Sequence, residues 1–273
     1  MFDFASKWIK DTIQKIIDNA NLEKIIRDNI EETYDLFGDT GYVTQCANAL
    51  KPVGFAMCAL FFIMALYDLA MQDRFDLEMF MKFFTKLVGG VGVIIFSNDF
   101  IQFGVFGMTS WVNDLLDGIS PPPVDVNPEL IGSVASGLET IITIGLIALL
   151  LQIVFAIISV CITVVCFSRL MEMALRACFM PVALGLVSED GLKGAGGRYI
   201  KRFIALAVQG PALMVIAKIH SNIVGMPLKE FAEEGFSAGG DILTSVVPLL
   251  GCSFAAVALC FKSISVINDV FGA

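Results

Sequence analysis

Along the first fifty positions, apolar residues recur one helical turn apart. Phe4, Trp8, Ile9, Ile13, Ile16 and Ile17 follow this spacing, and so do Leu22, Ile25, Ile26 and Ile30. That is the i, i+3, i+4 recurrence of an amphipathic helix, so residues 1–50 read as an amphipathic helical segment. Two placements suit it. It lies in a membrane interface with Trp8 as anchor, or it packs on the protein's own surface.

From position 51 the alternation gives way to long apolar runs. A spanning helix needs roughly 20 apolar residues, and five stretches qualify: 52–71, 83–107, 140–168, 203–219 and 242–261. The second is interrupted by Asn98 and Asp99. It also holds Gly89, Gly90 and Gly92, small residues that let membrane helices approach closely. The third has no charge from Thr140 to Ser168, which at about 1.5 Å per residue exceeds a ~30 Å hydrocarbon core, so this helix tilts or projects. "WVNDLLDGISPPPVDVNPEL" (Trp111–Leu130) reads as a loop because its prolines and acids break helices. The expected fold is therefore all-α: a polytopic helical membrane bundle of about five transmembrane helices over residues 51–273, preceded by the amphipathic segment 1–50.

Composition agrees. Charged residues make up 16% of the 273 positions and hydrophobic ones 56%, whereas soluble domains carry roughly a quarter charged residues. No apolar core of a cleaved signal peptide is expected near the start. The seven cysteines form no CxxC pair and mostly sit in apolar runs, where cysteine acts as a small hydrophobe. The net charge of -9 argues against a broad nucleic-acid footprint, which leaves nucleic acid only as a transported substrate.

Loop charge suggests an orientation, because cytoplasmic loops collect Lys and Arg. No basic residue lies between Ser97 and Leu138, whereas the Gly-rich turn at 191–202 carries Lys193, Arg198, Lys201 and Arg202. The first segment is expected outside and the second inside, where the basic turn meets a partner or anionic lipid. With five spans the N-terminus is outside and the C-terminus cytoplasmic. Against this stands the N-terminal segment, where six basic residues accompany nine acidic ones in 1–51.

Three charges follow the apolar third span: Arg169, Glu172 and Arg176, at i, i+3 and i+7 on one helix face. At the bilayer centre each would cost up to about 2.5–3.5 kcal/mol, so the helix is expected to continue past the inner interface rather than form a further span. Glu172 four residues before Arg176 suits a helical ion pair. Pro181 then bends or ends the helix, and the segment after it is expected to lie in the interface or re-enter, packed against protein. The face is either a juxtamembrane polar surface at the headgroups or an inter-helix or inter-subunit charged face around a pore.

Catalytic chemistry has little to build on. His220 is the single histidine, so HExxH is excluded. "GCSF" around Ser253 lacks the GxSxG flanks of a serine nucleophile, and "GLKGAGGR" is not the phosphate-binding GxxxxGK[ST]. No enzyme activity, metal or cofactor is expected. Gly210-Pro211 in mid-span, after Gln209, is expected to break its helix, as binding sites in transporters do. A secondary transporter with its site there is the alternative reading.

The run "RLMEMALRACFMPVALGLVSEDGLKGAGGRYIKRFIALAVQG" carries a resemblance. Arg169, Glu172, Pro181, Tyr199, Lys201, Arg202, Phe203, Gln209 and Gly210 follow the order of features in the TrbL-type polytopic subunit of conjugative type IV secretion systems, particularly the short Gram-positive form. The resemblance is good across about 140–219 and looser elsewhere. It implies a channel or scaffold subunit of the cytoplasmic membrane that helps single-stranded DNA with its relaxase, or protein, to cross. It implies a homo-oligomer, with a pentamer among the counts it allows, and secretion partners that include cytoplasmic ATPases as the energy source. Membrane lipids are the remaining partner.

Overall fold

The structure is a computed structural model. It describes residues 7, 11–12, 15, 22–38, 40–71, 77–107, 110–111, 114, 138–233 and 242–271. Trp8 and most of the segment 108–137 lie outside the described residues.

Every regular element among the described residues is helical. α1 is Leu22–Phe37, α2 Tyr42–Met71, α3 Leu77–Ile95, and α4 Ser97–Gln102 followed by a π-helical turn Phe103–Gly107. α5 is Leu138–Cys178, α6 Met180–Asp190, α7 Ala195–Glu233 and α8 Ile242–Phe271, with a 3-10 turn Gly191–Lys193 before α7. Stretches of α2 (Tyr42–Met71), α5 (Leu149–Cys178), α7 (Ala195–Val224) and α8 (Leu250–Phe271) are long and apolar enough to cross a membrane. The protein is thus an all-helical polytopic membrane bundle with four such helices among the described residues.

The expected second span differs. Residues 83–107 are not one helix: α3 ends at Ile95, and Phe96 (φ -84°, ψ 12°) separates it from α4. The interruption precedes the polar run Ser97-Asn98-Asp99, residues of low helix propensity. Asn98 donates to the side-chain oxygen of Asn48 at 2.8 Å. Lys51 donates to the carbonyl of Ile95 at 3.3 Å, a cation on the last turn of a helix, where the dipole favours it. α2 also starts ten residues before the expected span and runs through Pro52.

Two compact units divide the chain, and both draw on residues from either side of position 50. One unit comprises Met1–Ile30, Asn113–Phe167 and Ala212–Ser263. In it Leu22 and Ile26 of α1 are fully buried. Glu23 of α1 accepts from Arg27 at 3.4 Å and lies 3.8 Å from the buried Lys218 of α7. α1 therefore packs on the protein itself.

The other unit comprises Glu31–Val112, Ser168–Pro211 and Ile264–Ala273. Its core includes Phe37, Val43, Cys58, Ile94, Leu170, Met173, Met180, Leu184 and Phe203. α6 lies against α2 and α3, so the segment after Pro181 is packed against protein. The approach is backbone to backbone: a Cβ on Gly54 would strike the carbonyl of Pro181, and one on Gly185 would lie 2.8 Å from the carbonyl oxygen of Gly54. Gly90 of α3 makes room for the Ser188 hydroxyl, and Gly196 of α7 sits against the backbone of Val187. Cys58 donates to the carbonyl of Gly185 at 3.8 Å and lies 3.3 Å from the Ser188 hydroxyl. Of the three glycines in α3, Gly90 alone is pressed by a neighbour; Gly89 and Gly92 face open space.

Candidate functional site

The charged face and the Gln209-Gly210-Pro211 stretch come together in the second unit. α5 and α7 run antiparallel there: Arg176 pairs with Tyr199, and seven residues back along α5, Arg169 pairs with Leu206, seven forward along α7.

Arg169 is buried. Its Nε donates to the carbonyl of Leu206 at 3.2 Å, and its Nη2 donates to that of Ala207 at 3.4 Å. The sequence of α7 prepares this seat twice. Pro211 has no N–H, so Ala207, four residues earlier, lacks its usual helical donor. Gly210 has no side chain where the guanidinium lies, and a Cβ there would come within 2.7 Å of Arg169 Cζ. Arg169 thus supplies a charge-assisted hydrogen bond to the carbonyl that proline orphans. Gln209 beside it is buried too.

Gly210 and Pro211 do not break the helix, contrary to expectation. α7 is continuous from Ala195 to Glu233. Proline inside a helix leaves one carbonyl without its donor, besides the clash of its ring, and here a neighbouring helix pairs that carbonyl.

Glu172 and Arg176 behave differently from Arg169. They pair with each other along α5, with Arg176 Nη2 2.6 Å and Nε 3.0 Å from the same oxygen, Glu172 Oε1. Arg176 also lies over the ring of Tyr199, 5.8 Å from its centroid, within cation–π range. The Tyr199 hydroxyl donates to the backbone carbonyl of Arg176 at 3.0 Å. That carbonyl belongs to the last turn of α5, where intrahelical donors run out. One face in sequence is therefore two structures: an inter-helix lock at Arg169 and an ion pair at 172–176 seated on α7.

At Pro181 the chain changes helix. α5 stops at Cys178, Phe179 (φ -87°, ψ 4°) intervenes, and α6 starts with the proline in its first turn, where its missing N–H costs nothing. α6 ends on Gly191 with φ +66°, a left-handed residue that suits glycine. The basic turn is shorter than the expected 191–202, since the turn closes with Gly194 N–H donating to the carbonyl of Gly191 at 3.3 Å. Lys193 lies in it, whereas Arg198, Lys201 and Arg202 are exposed on the first turns of α7. Phe203 is fully buried in the core.

The single histidine and the serine of "GCSF" do meet. His220 Nε2 lies 3.1 Å from Ser253 Oγ, and both residues are buried. A serine–histidine pair needs a third group to orient the ring, but His220 Nδ1 has no hydrogen-bond partner among the described residues. Two buried polar residues of apolar helices share one hydrogen bond.

Against this geometry, the model of the TrbL/VirB6 plasmid conjugal transfer-like family matches residues 40–181, just over half the chain. The protein belongs to the TrbL/VirB6 family. It is a membrane subunit related to conjugal transfer and type IV secretion. Searches of curated proteins and of solved structures give no match. The TrbL/VirB6 match begins before α2 and ends at Pro181, so it includes Arg169, Glu172 and Arg176. It stops short of Tyr199, Phe203, Gln209 and Gly210, and it extends to the helices before residue 140, where the sequence resemblance was looser.

Proposed function

We propose that this TrbL/VirB6-type chain is a non-enzymatic channel or scaffold subunit of a conjugative type IV secretion system. It works in the cytoplasmic membrane and helps single-stranded DNA with its relaxase, or a protein, to cross. The observation that carries the reading is the family match over residues 40–181 on a chain with four membrane-grade helices. The subunit works as a homo-oligomer, and cytoplasmic ATPases supply the energy. With α3 crossing as a fifth span, its N-terminus faces outward and its C-terminus inward, because basic residues 193–202 then lie on the cytoplasmic side. The exposed Arg198 and Lys201, beside Arg202, form the face offered to those ATPases. With a net charge of -9, the chain is better suited to frame a route for DNA than to grip it.

The transporter reading loses its footing, because α7 is continuous through Gly210-Pro211. In-frame deletion of the gene with wild-type complementation tests the proposal. Transfer of the mobile element should collapse and return with the gene. Unchanged transfer would remove this subunit from the machine.

A further inference from the structure

The Glu172–Arg176 pair stands between two concavities of opposite character. One is an open groove of about 660 Å³ whose walls include Leu175, Phe179, Val182 and Leu186, with Tyr199 at its edge. The other is a small polar pocket of about 150 Å³, to which Arg202, Leu206 and Asn268 contribute. Glu172 and Arg176 line both, so apolar groove and polar pocket are neighbours across one ion pair.

We propose that this composite site binds one anionic glycerophospholipid, with an acyl chain in the groove and the phosphate in the polar pocket. Charge supports the head end. Two guanidiniums, of Arg176 and Arg202, meet one carboxylate there, and Glu172 uses the same oxygen for both bonds to Arg176. Arg–phosphate pairing is strong and geometrically specific, and Asn268 adds an amide.

The groove supports the tail end. It falls within the roughly 300–1,000 Å³ of small-molecule sites. It flanks Phe179, where the change from α5 to α6 opens the helix surface. Position along the chain agrees as well. The charge-free stretch of α5 ends at Ser168, so Glu172 and Arg176 fall where hydrocarbon gives way to headgroups. A partner helix, about 10–12 Å across, cannot enter the polar pocket, whereas a phosphate and one acyl chain match the two spaces.

Spin-labelled phosphatidylglycerol and phosphatidylcholine in phosphatidylcholine vesicles holding the full-length protein test the site. The wild type should immobilise phosphatidylglycerol in preference. Arg202→Gln, an exposed change that spares the fold, should reduce that preference about fivefold, the effect of one basic residue near a lipid surface. Val182→Trp, which fills the groove, should release the immobilised label. Excess inorganic phosphate should not displace the lipid. No preference in the wild type, or a preference unchanged in both variants, would overturn the proposal. So would displacement by inorganic phosphate, which would mean a site for phosphate alone. A photoreactive residue at 182 should yield a lipid adduct in native membranes, and an adduct to a second copy or to another protein would assign the groove to that occupant instead.

Discussion

Arg169 occupies the space that a side chain on Gly210 would need: a Cβ at residue 210 would sit 2.7 Å from the guanidinium carbon. Two residues forty-one positions apart are thus two halves of one joint between α5 and α7. With Pro211 removing the N–H that Ala207 would otherwise receive, the joint has three chemically distinct parts, each separately removable.

Arg169→Leu should lower the thermal midpoint of the detergent-solubilised protein, because hydrogen bonds to charged groups contribute roughly 1.5–3 kcal/mol. Gly210→Val should lower it comparably by expelling the guanidinium. The two changes together should cost much less than their sum, since they break the same contact. Additive losses would show that the residues act independently.

Pro211→Ala restores an N–H to Ala207. Added to Arg169→Leu, it should recover part of the lost midpoint, because the carbonyl regains a helical donor. No recovery would mean that the bond to Leu206, and not the orphaned carbonyl, is what Arg169 serves.

Glycine substitutions should separate by position. Gly54→Ala places a methyl against the carbonyl of Pro181 and should reduce accumulation of the protein in the membrane. Gly89→Ala and Gly92→Ala meet open space and should be neutral or stabilising by up to about 1 kcal/mol, the difference in helix propensity. Membrane abundance and thermal midpoint of the three variants, side by side, check this; equal losses would refute the close approach at Gly54.

Tyr199→Phe keeps the ring under Arg176 and removes the hydroxyl from the end of α5. The expected cost is about 0.5–1.5 kcal/mol, that of one neutral hydrogen bond, seen as a modest drop in midpoint. Tyr199→Leu, which also removes the cation–π contact, should cost more. A Phe variant as damaged as the Leu variant would put the whole effect in the hydroxyl.

The charge-swapped pair Glu172→Arg with Arg176→Glu should retain transfer in mating assays, because the partners lie on one helix and the swap preserves attraction. The reversed order is the weaker one, by a few tenths of a kcal/mol. Loss of transfer in the swap despite normal membrane abundance would favour a face read by another subunit.

The helices were largely legible because a long uncharged run has few alternatives to a helix in a membrane. The end of α5 near Pro181 was legible for a similar reason, since proline leaves a physical mark on either side. The partner of Arg169 was not. Spacing put Arg169, Glu172 and Arg176 on one face, but spacing cannot say that the first reaches across to α7 while the other two pair locally. A signal was present in Gly210-Pro211, which together make a bare helix surface and an unpaired carbonyl. It reads as a break because the element that fills it is distant in sequence. The glycines of α3 were ambiguous for a related reason: whether a bare helix face is pressed depends on the neighbour, and Ser188 lies about a hundred residues on. His220 and Ser253 suggest a pair in the sequence, yet whether they meet depends on how α7 and α8 are rotated about their axes.

The seat of α6 bears on how the protein is made. Cys58 and the Gly185 carbonyl it contacts are 127 residues apart. At roughly 5–20 residues per second, the ribosome completes α2 on the order of ten seconds before α6 emerges. Throughout that interval the bare backbone around Gly54 and Gly90 has no native cover. The nascent chain therefore holds α2 and α3 with an unfilled slot until α6 arrives.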